Sequence, residues 1–149
     1  MGLLIVPAPV PVPGPRVADM SEFDHERLDV YVAAIDFVAL VDEVVEHLPR
    51  GRAYLADQLQ RAATSIPLNI AEGAGEFSTS EKARFYRMAK RSATESAAIM
   101  HVCDRLQLVE SARYQAGREL LLRIVAMLVQ MARRTVESGT GSGTGSGTK

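Results

Sequence analysis

The amino-acid sequence predicts an all-α fold, an antiparallel four-helix bundle, on three observations. Apolar residues recur at helical spacing in four successive segments. Residues that favour strands do not gather in alternating runs, and four Tyr, four Phe and no Trp leave Ala, Val and Leu to build the core. Segments of about 25 residues joined by short links make sequential neighbours antiparallel. A chain of 149 residues has room for one domain and one core of ordinary size.

Residues 1–21 read as a disordered, proline-rich leader. "MGLLIVPAPVPVPGPRVADM" lacks the basic start of a signal peptide, and Pro7, Pro9, Pro11 and Pro13 interrupt its apolar run far short of a membrane span. Met20 followed by "SEFDHERLDVY" looks like a natural domain start, which fits an upstream start codon. The bundle is expected over residues 22–137. Residues 138–149, "SGTGSGTGSGTK", have nothing to bury and read as a flexible tail.

In the first segment Leu28, Tyr31, Ile35, Val38 and Val45 form one stripe, with Val30, Ala34, Phe37, Val41 and Leu48 beside it. A helix with two apolar stripes buries more than one face. It is expected to stop near Leu48-Pro49, because the residue before proline is pushed out of the α region. The second segment carries Leu55, Leu59, Ala62, Ile66 and Ile70 on one face and should close at Gly73 or Gly75 in the left-handed conformation. Pro67 lies within it, which predicts a kink and a carbonyl at Ala63 in search of a partner.

The third start is marked by "STSE", Ser78 to Glu81, a capping box. The helix that follows is expected to bury Phe85, Met88, Ser92, Ser96, Ile99, Cys103 and Leu106, with a small-residue seam at Ala89, Ala93 and Ala97 that lets a neighbour approach. In the fourth segment, residues 111–136, Leu121, Ile124, Leu128 and Met131 make one face while Leu120, Met127 and Val129 lie on others. Apolar residues left over from the core mark interfaces. The two-sided helices therefore predict a homo-oligomer.

Charge is polarised along the chain. Nine acidic residues face Arg27 alone between Asp19 and Leu48, whereas Pro49 to Lys149 holds fifteen basic residues against nine acidic. Helix-to-helix charge matching in a bundle or oligomer explains this as well as nucleic-acid contact does. One cysteine, Cys103, precludes an internal disulfide and suits a reducing, cytoplasmic compartment.

Catalytic and metal templates find little. His25, His47 and His101 stand far apart, "HVC" has no second pair at ligand spacing, and "HE" at His25-Glu26 lacks the second histidine of a zinc protease. "GAGEFSTS", Gly73 to Ser80, has no preceding strand and no phosphate-loop lysine, and Glu76 puts negative charge where phosphate would sit. No enzyme, metal or cofactor is expected.

Two polar sets remain. Arg61, Ser65, Asn69 and Glu72 share a face of the second helix and, with Glu95 of the third, are expected to form a structural polar network that fixes register. Arg84, Arg87, Lys90 and Arg91 fall within one stretch of the third helix and are the candidate nucleic-acid contacts, although only Phe85 and Tyr86 are at hand to stack on bases.

"LQRAATSIPLNIAEG", Leu59 to Gly73, "FYRMAKRSATE", Phe85 to Glu95, and "FDHERLDVY", Phe23 to Tyr31, resemble the signature of the bacterial four-helix-bundle proteins found as reading frames in intervening sequences of large-subunit rRNA genes. The resemblance spans Phe23 to Arg134. It implies an up-down bundle, commonly a ring-shaped homopentamer, with no known catalytic activity. A relative, the accessory variability determinant of diversity-generating retroelements, binds nucleic acid and a reverse transcriptase through a strongly basic surface. Where the family often carries basic residues after the Gly-rich turn, Gly75, Glu76 and Phe77 stand here. The expected function is a non-enzymatic, self-associating scaffold that engages another macromolecule. The alternative is an RNA- or DNA-binding accessory protein, for example a partner of a reverse transcriptase.

Overall fold

A computed structural model describes residues 2, 4–9 and 22–141. Among these residues the chain forms four α-helices, α1 (Asp29–Glu46), α2 (Ala53–Ala74), α3 (Thr79–Arg105) and α4 (Ser111–Thr140), with 3-10 turns at Asp24–Arg27 and Arg50–Arg52 and no strand. The described leader residues, 2 and 4–9, are exposed and carry no regular structure; the rest of the leader and residues 142–149 of the tail lie outside the described residues. Ser138–Thr140, assigned to the tail by composition, form the last turn of α4. Ser138 Oγ and Thr140 Oγ1 donate to the carbonyls of Thr135 and Glu137, and Gly139 lies against Thr79 at the start of α3, so this turn has partners that composition does not reveal.

Each helix packs on two others. The backbones of α1 and α3 both run beside α2 and α4, while those of α1 and α3, and of α2 and α4, are not neighbours, so the helices occupy the corners of a helical bundle. Phe37, Leu59, Ile66, Ile70, Met100, Ile124 and Leu128 are fully buried at its centre. Each such side chain contributes about 1.5–3 kcal/mol through removal from water.

The two stripes of α1 divide the work unequally. Val30, Ala34, Phe37 and Val41 are buried, whereas Tyr31, Val38 and Val45 are half-buried and Ile35 is exposed. α1 ends at Glu46, three residues before Pro49. α3 buries the expected Ala89, Ala93, Ser96, Ile99 and Cys103 together with Ala83, Tyr86 and Met100, while Met88 and Leu106, expected inside, are exposed. The alanines allow close packing on α2 and α4 at once. α4 also approaches closely. A Cβ on Gly117 would stand 3.1 Å from Met100 Cε and 3.2 Å from Leu40 Cδ2.

The helix ends differ from expectation at the close of α2 and the start of α3. No described glycine is left-handed; Gly75 closes α2 at φ −83° with its N–H on the Ala71 carbonyl, and Gly73 lies inside the helix, buried. Among the described residues the left-handed one is Gln107, at φ 57°. Leu108 N–H bonds the Cys103 carbonyl and Gln107 N–H the Asp104 carbonyl, the paired bonds of a Schellman ending on α3. At the start of α3 Ser78 Oγ accepts from Glu81 N–H at 3.4 Å, but the Glu81 carboxylate takes Arg84 at 2.9 Å, which leaves half of the expected capping box. α2 continues seven residues beyond the buried Pro67.

Candidate functional site

The seam between α2 and α3 holds a line of hydrogen bonds. Asn69 Nδ2 donates to the Ser65 carbonyl at 2.8 Å and to Ser65 Oγ at 2.9 Å. Ser65 Oγ lies 2.8 Å from Ser92 Oγ, and Ser92 Oγ donates to the Met88 carbonyl at 3.2 Å. With Ser92 committed as that donor, Ser65 donates to Ser92, so the bonds run in one direction from Asn69 to Met88. Ser96, the one buried polar residue among the described residues, donates to the Ser92 carbonyl at 2.8 Å. Asn69 thus serves the Ser65 carbonyl, and the Ala63 carbonyl freed by Pro67 is not among its partners.

The structure brings Ser65 and Asn69 together through Ser92 and leaves the charged residues of the expected network outside these bonds. Arg61 pairs with Asp57 at 3.1 Å on the surface. Glu72 and Glu95 are exposed. Glu95 borders an open groove with Arg91, Ser65, Asn69 and Ser92. Among the described residues, no buried side-chain nitrogen or oxygen lacks a partner.

All four candidate cations on α3 are exposed. Arg84 is engaged by Glu81, and its guanidinium stands 5.7 Å from the Phe85 ring centroid. Arg87 and Lys90 turn toward α4, where with Arg133 they border a groove of about 370 Å³ floored by Leu128, Val129, Ala132 and Val136, with Glu137 at its edge. Arg91 turns the other way, into the α2–α3 groove. The cations that look like one patch in sequence are therefore divided between two grooves. Arg133 is the member that sequence reasoning missed. Its signal was the Arg133-Arg134 pair late in the fourth segment, whose side of the bundle depends on how α4 is rotated.

The glycine-rich turn is held structurally: Lys82 Nζ donates to the Ala74 carbonyl at 3.1 Å, neutralising the end of α2. Phe77 at its tip is fully exposed. His25 stacks on Phe23 and meets Tyr31 edge-on, His47 is hydrogen-bonded to the Glu43 carbonyl, and His101 is exposed. Among the described residues no three His, Cys, Asp or Glu side chains are grouped as metal ligands would be. Cys103 is a buried free thiol, and burial pushes its pKa up; burial does the same to Tyr86. A raised thiol pKa is the reverse of what a cysteine nucleophile needs. No helix is long and apolar enough to cross a membrane among the described residues.

A family profile described as 23S rRNA-intervening sequence protein matches residues 26–130. The match covers more than half of the chain and includes α1, α2, α3, the serine seam, and the first two-thirds of α4. Among curated proteins, none matches the chain.

Proposed function

We propose that this chain, which belongs to the 23S rRNA-intervening sequence protein family, is a non-enzymatic helical scaffold that associates with copies of itself and engages another macromolecule. The observation that carries this reading is apolar surface left on several helices after the core is filled. Val32 and Ile35 on α1, Leu68 on α2, Val102 on α3 and Leu122 on α4 are between 43% and 61% exposed. Val32 and Ile35, three positions apart on α1, make the paired exposure that suits a subunit with neighbours.

In this reading the helices run up and down as an antiparallel bundle. Support comes from the short turn between Gly75 and Ser78, from the approach of Gly139 to Thr79, and from the ion pair of Glu43 late in α1 with Arg113 early in α4 at 3.5 Å. A closed ring of five copies is the assembly proposed. A reducing, cytoplasmic setting suits its single buried thiol. Light scattering after size exclusion tests the reading. A mass several times that of one chain is expected at micromolar concentration, and a monomer overturns it.

A second reading, a nucleic-acid-binding accessory protein, is favoured by the juxtaposition of Arg87, Lys90 and Arg133 around one groove. Fluorescence anisotropy with RNA and DNA oligonucleotides across a salt series tests it. Phosphate contact predicts affinity that falls steeply as salt rises. Absence of binding at low salt overturns this reading and leaves the first intact.

A further inference from the structure

The exposed faces of α1 and α3 are opposite in charge. α1 carries Asp29, Asp36, Asp42, Glu43 and Glu46 and no basic residue. α3 carries Lys82, Arg84, Arg87, Lys90, Arg91 and Arg105 against three acids. Among the described residues, Glu43 is the one α1 acid in an ion pair, with Arg113, and Arg84 the one α3 cation so engaged, with Glu81. Lys82 is spent on the Ala74 carbonyl, and the other charges of the two faces have no ion-pair partner among the described residues; α1 and α3, at opposite corners, do not reach each other's exposed faces within one copy.

Apolar residues on the two faces follow the same complementarity in reverse order. On α1 the exposed apolar pair Val32 and Ile35 follows Asp29 and precedes Asp36, Asp42 and Glu46; on α3 Arg87 and Lys90, on the α4 side, and Arg91, on the α2 side, precede Glu95 and the exposed Ala98 and Val102, with Arg105 beyond. An antiparallel meeting of the two helices sets Asp42 and Glu46 by the cations and Val32 and Ile35 by Ala98 and Val102, with Asp36 between Arg91 and Glu95. The spacing agrees: Val32 to Asp42 spans about 15 Å and Arg87 to Ala98 about 16 Å along a helix.

On the self-association reading above, we infer that the α1 face of one copy seats antiparallel on the α3 face of a second copy. Since α1 and α3 hold different corners, each contact leaves an α3 face and an α1 face free for further copies, so the contact is head-to-tail and closes into a ring where the rotation between copies allows. A two-fold contact of α1 on α1, or of α3 on α3, sets like charges together.

The test is a charge swap read by light scattering, with circular dichroism to check that helix content is kept. One variant reverses α1 (Asp36→Lys, Asp42→Lys, Glu46→Lys), a second reverses α3 (Arg87→Glu, Lys90→Glu, Arg91→Glu), and a third carries all six changes. Each three-residue variant is expected to weaken association at least about tenfold, and the six-residue variant to regain the wild-type mass, since its faces are again complementary. Wild-type mass in both three-residue variants overturns the pairing while self-association stands, as does failure of a helical six-residue variant to reassemble. A monomeric wild type overturns self-association and the pairing with it. Should a variant lose its helices, a salt titration of the wild type decides: dissociation is expected as the Debye length shrinks from about 10 Å at 0.1 M to about 3 Å at 1 M, and a mass unchanged across that range overturns the pairing.

Discussion

The ring of Tyr86 lies directly on the backbone of Gly73: a Cβ added at residue 73 would stand 2.7 Å from Tyr86 Cε1, 3.0 Å from Cδ1 and 3.2 Å from Phe85 Cβ. Gly73 is within α2 and buried, and Tyr86 is 5% exposed, so neither can move aside without opening the α2–α3 seam. The glycine is there for this approach and not for its backbone freedom.

Gly73→Ala is therefore expected to destabilise, against the usual benefit of alanine in a helix. Propensity favours the substitution by about 1 kcal/mol, but forcing a methyl into a packed seam costs about 1–3 kcal/mol. Gly75→Ala is the control. Its Cβ would find nothing nearer than the Ala71 carbonyl oxygen at 3.7 Å, and its φ of −83° suits any residue. Urea unfolding should show a lower midpoint for Gly73→Ala and an equal or higher one for Gly75→Ala. Equal loss in both would show that the seam does not set the requirement.

Gln107→Gly is expected to stabilise. Gln107 adopts φ 57° to complete the Schellman ending of α3, a conformation that costs a residue with a Cβ about 1–2 kcal/mol. Glycine removes that cost and returns about 0.5–1 kcal/mol of it through greater freedom in the unfolded chain. A net gain of about 0.5–1 kcal/mol remains. Thermal unfolding reads it as a rise of a few degrees, and a fall would mean that the Gln107 side chain has an unrecognised partner.

These two sites show where sequence reasoning reaches and where it stops. The four helices were legible because Leu55, Leu59, Ile66 and Ile70, or Leu121, Ile124 and Leu128, repeat at a spacing only a helix uses, and because Ser78 has a capping role that needs no tertiary knowledge. The small-residue seam of α3 was legible at Ala89 and Ala93, but the place of its large residues was not: hydropathy favours Met88 and Leu106, which are exposed, over Tyr86, which is buried. The same limit explains Arg133, whose place beside Arg87 and Lys90 depends on packing across α3 and α4. Gly73 looked like a helix stop because a glycine signals a turn locally, and its partner Tyr86 is thirteen positions away.

Stability is expected to fall in the alkaline range. Burial raises the pKa of Cys103 above its ordinary 9.0 and that of Tyr86 above its ordinary 10.0. Below those ordinary values both states hold the protons and the contribution of these groups is complete. Above them the unfolded chain releases protons that the folded chain still holds, so unfolding gains ground until the folded pKa is passed. Urea midpoints measured from pH 7 to pH 11 should fall from about pH 9 upward. Cys103→Ala should remove the first part of the decline and Tyr86→Phe the second. A profile whose shape neither substitution alters would assign the decline to other groups.

The hydroxyl line from Asn69 through Ser65 to Ser92 makes the most discriminating prediction for the seam. Ser65→Ala removes an acceptor from Asn69 and a donor from Ser92, and Ser92→Ala removes the acceptor that Ser65 uses. Each lost hydrogen bond costs about 0.5–1.5 kcal/mol, but alanine in a helix returns up to about 0.5 kcal/mol, so either single variant can look nearly neutral. The propensity gain is local to each helix and cancels in a double-mutant cycle, whereas the loss of the shared bond is counted twice in the singles and once in the double. Ser65→Ala with Ser92→Ala is therefore expected to cost about 0.5–1.5 kcal/mol less than the sum of the two. Additive costs would mean that the 2.8 Å contact holds no net energy. Register between α2 and α3 would then rest on the apolar contacts alone, such as Tyr86 on Gly73.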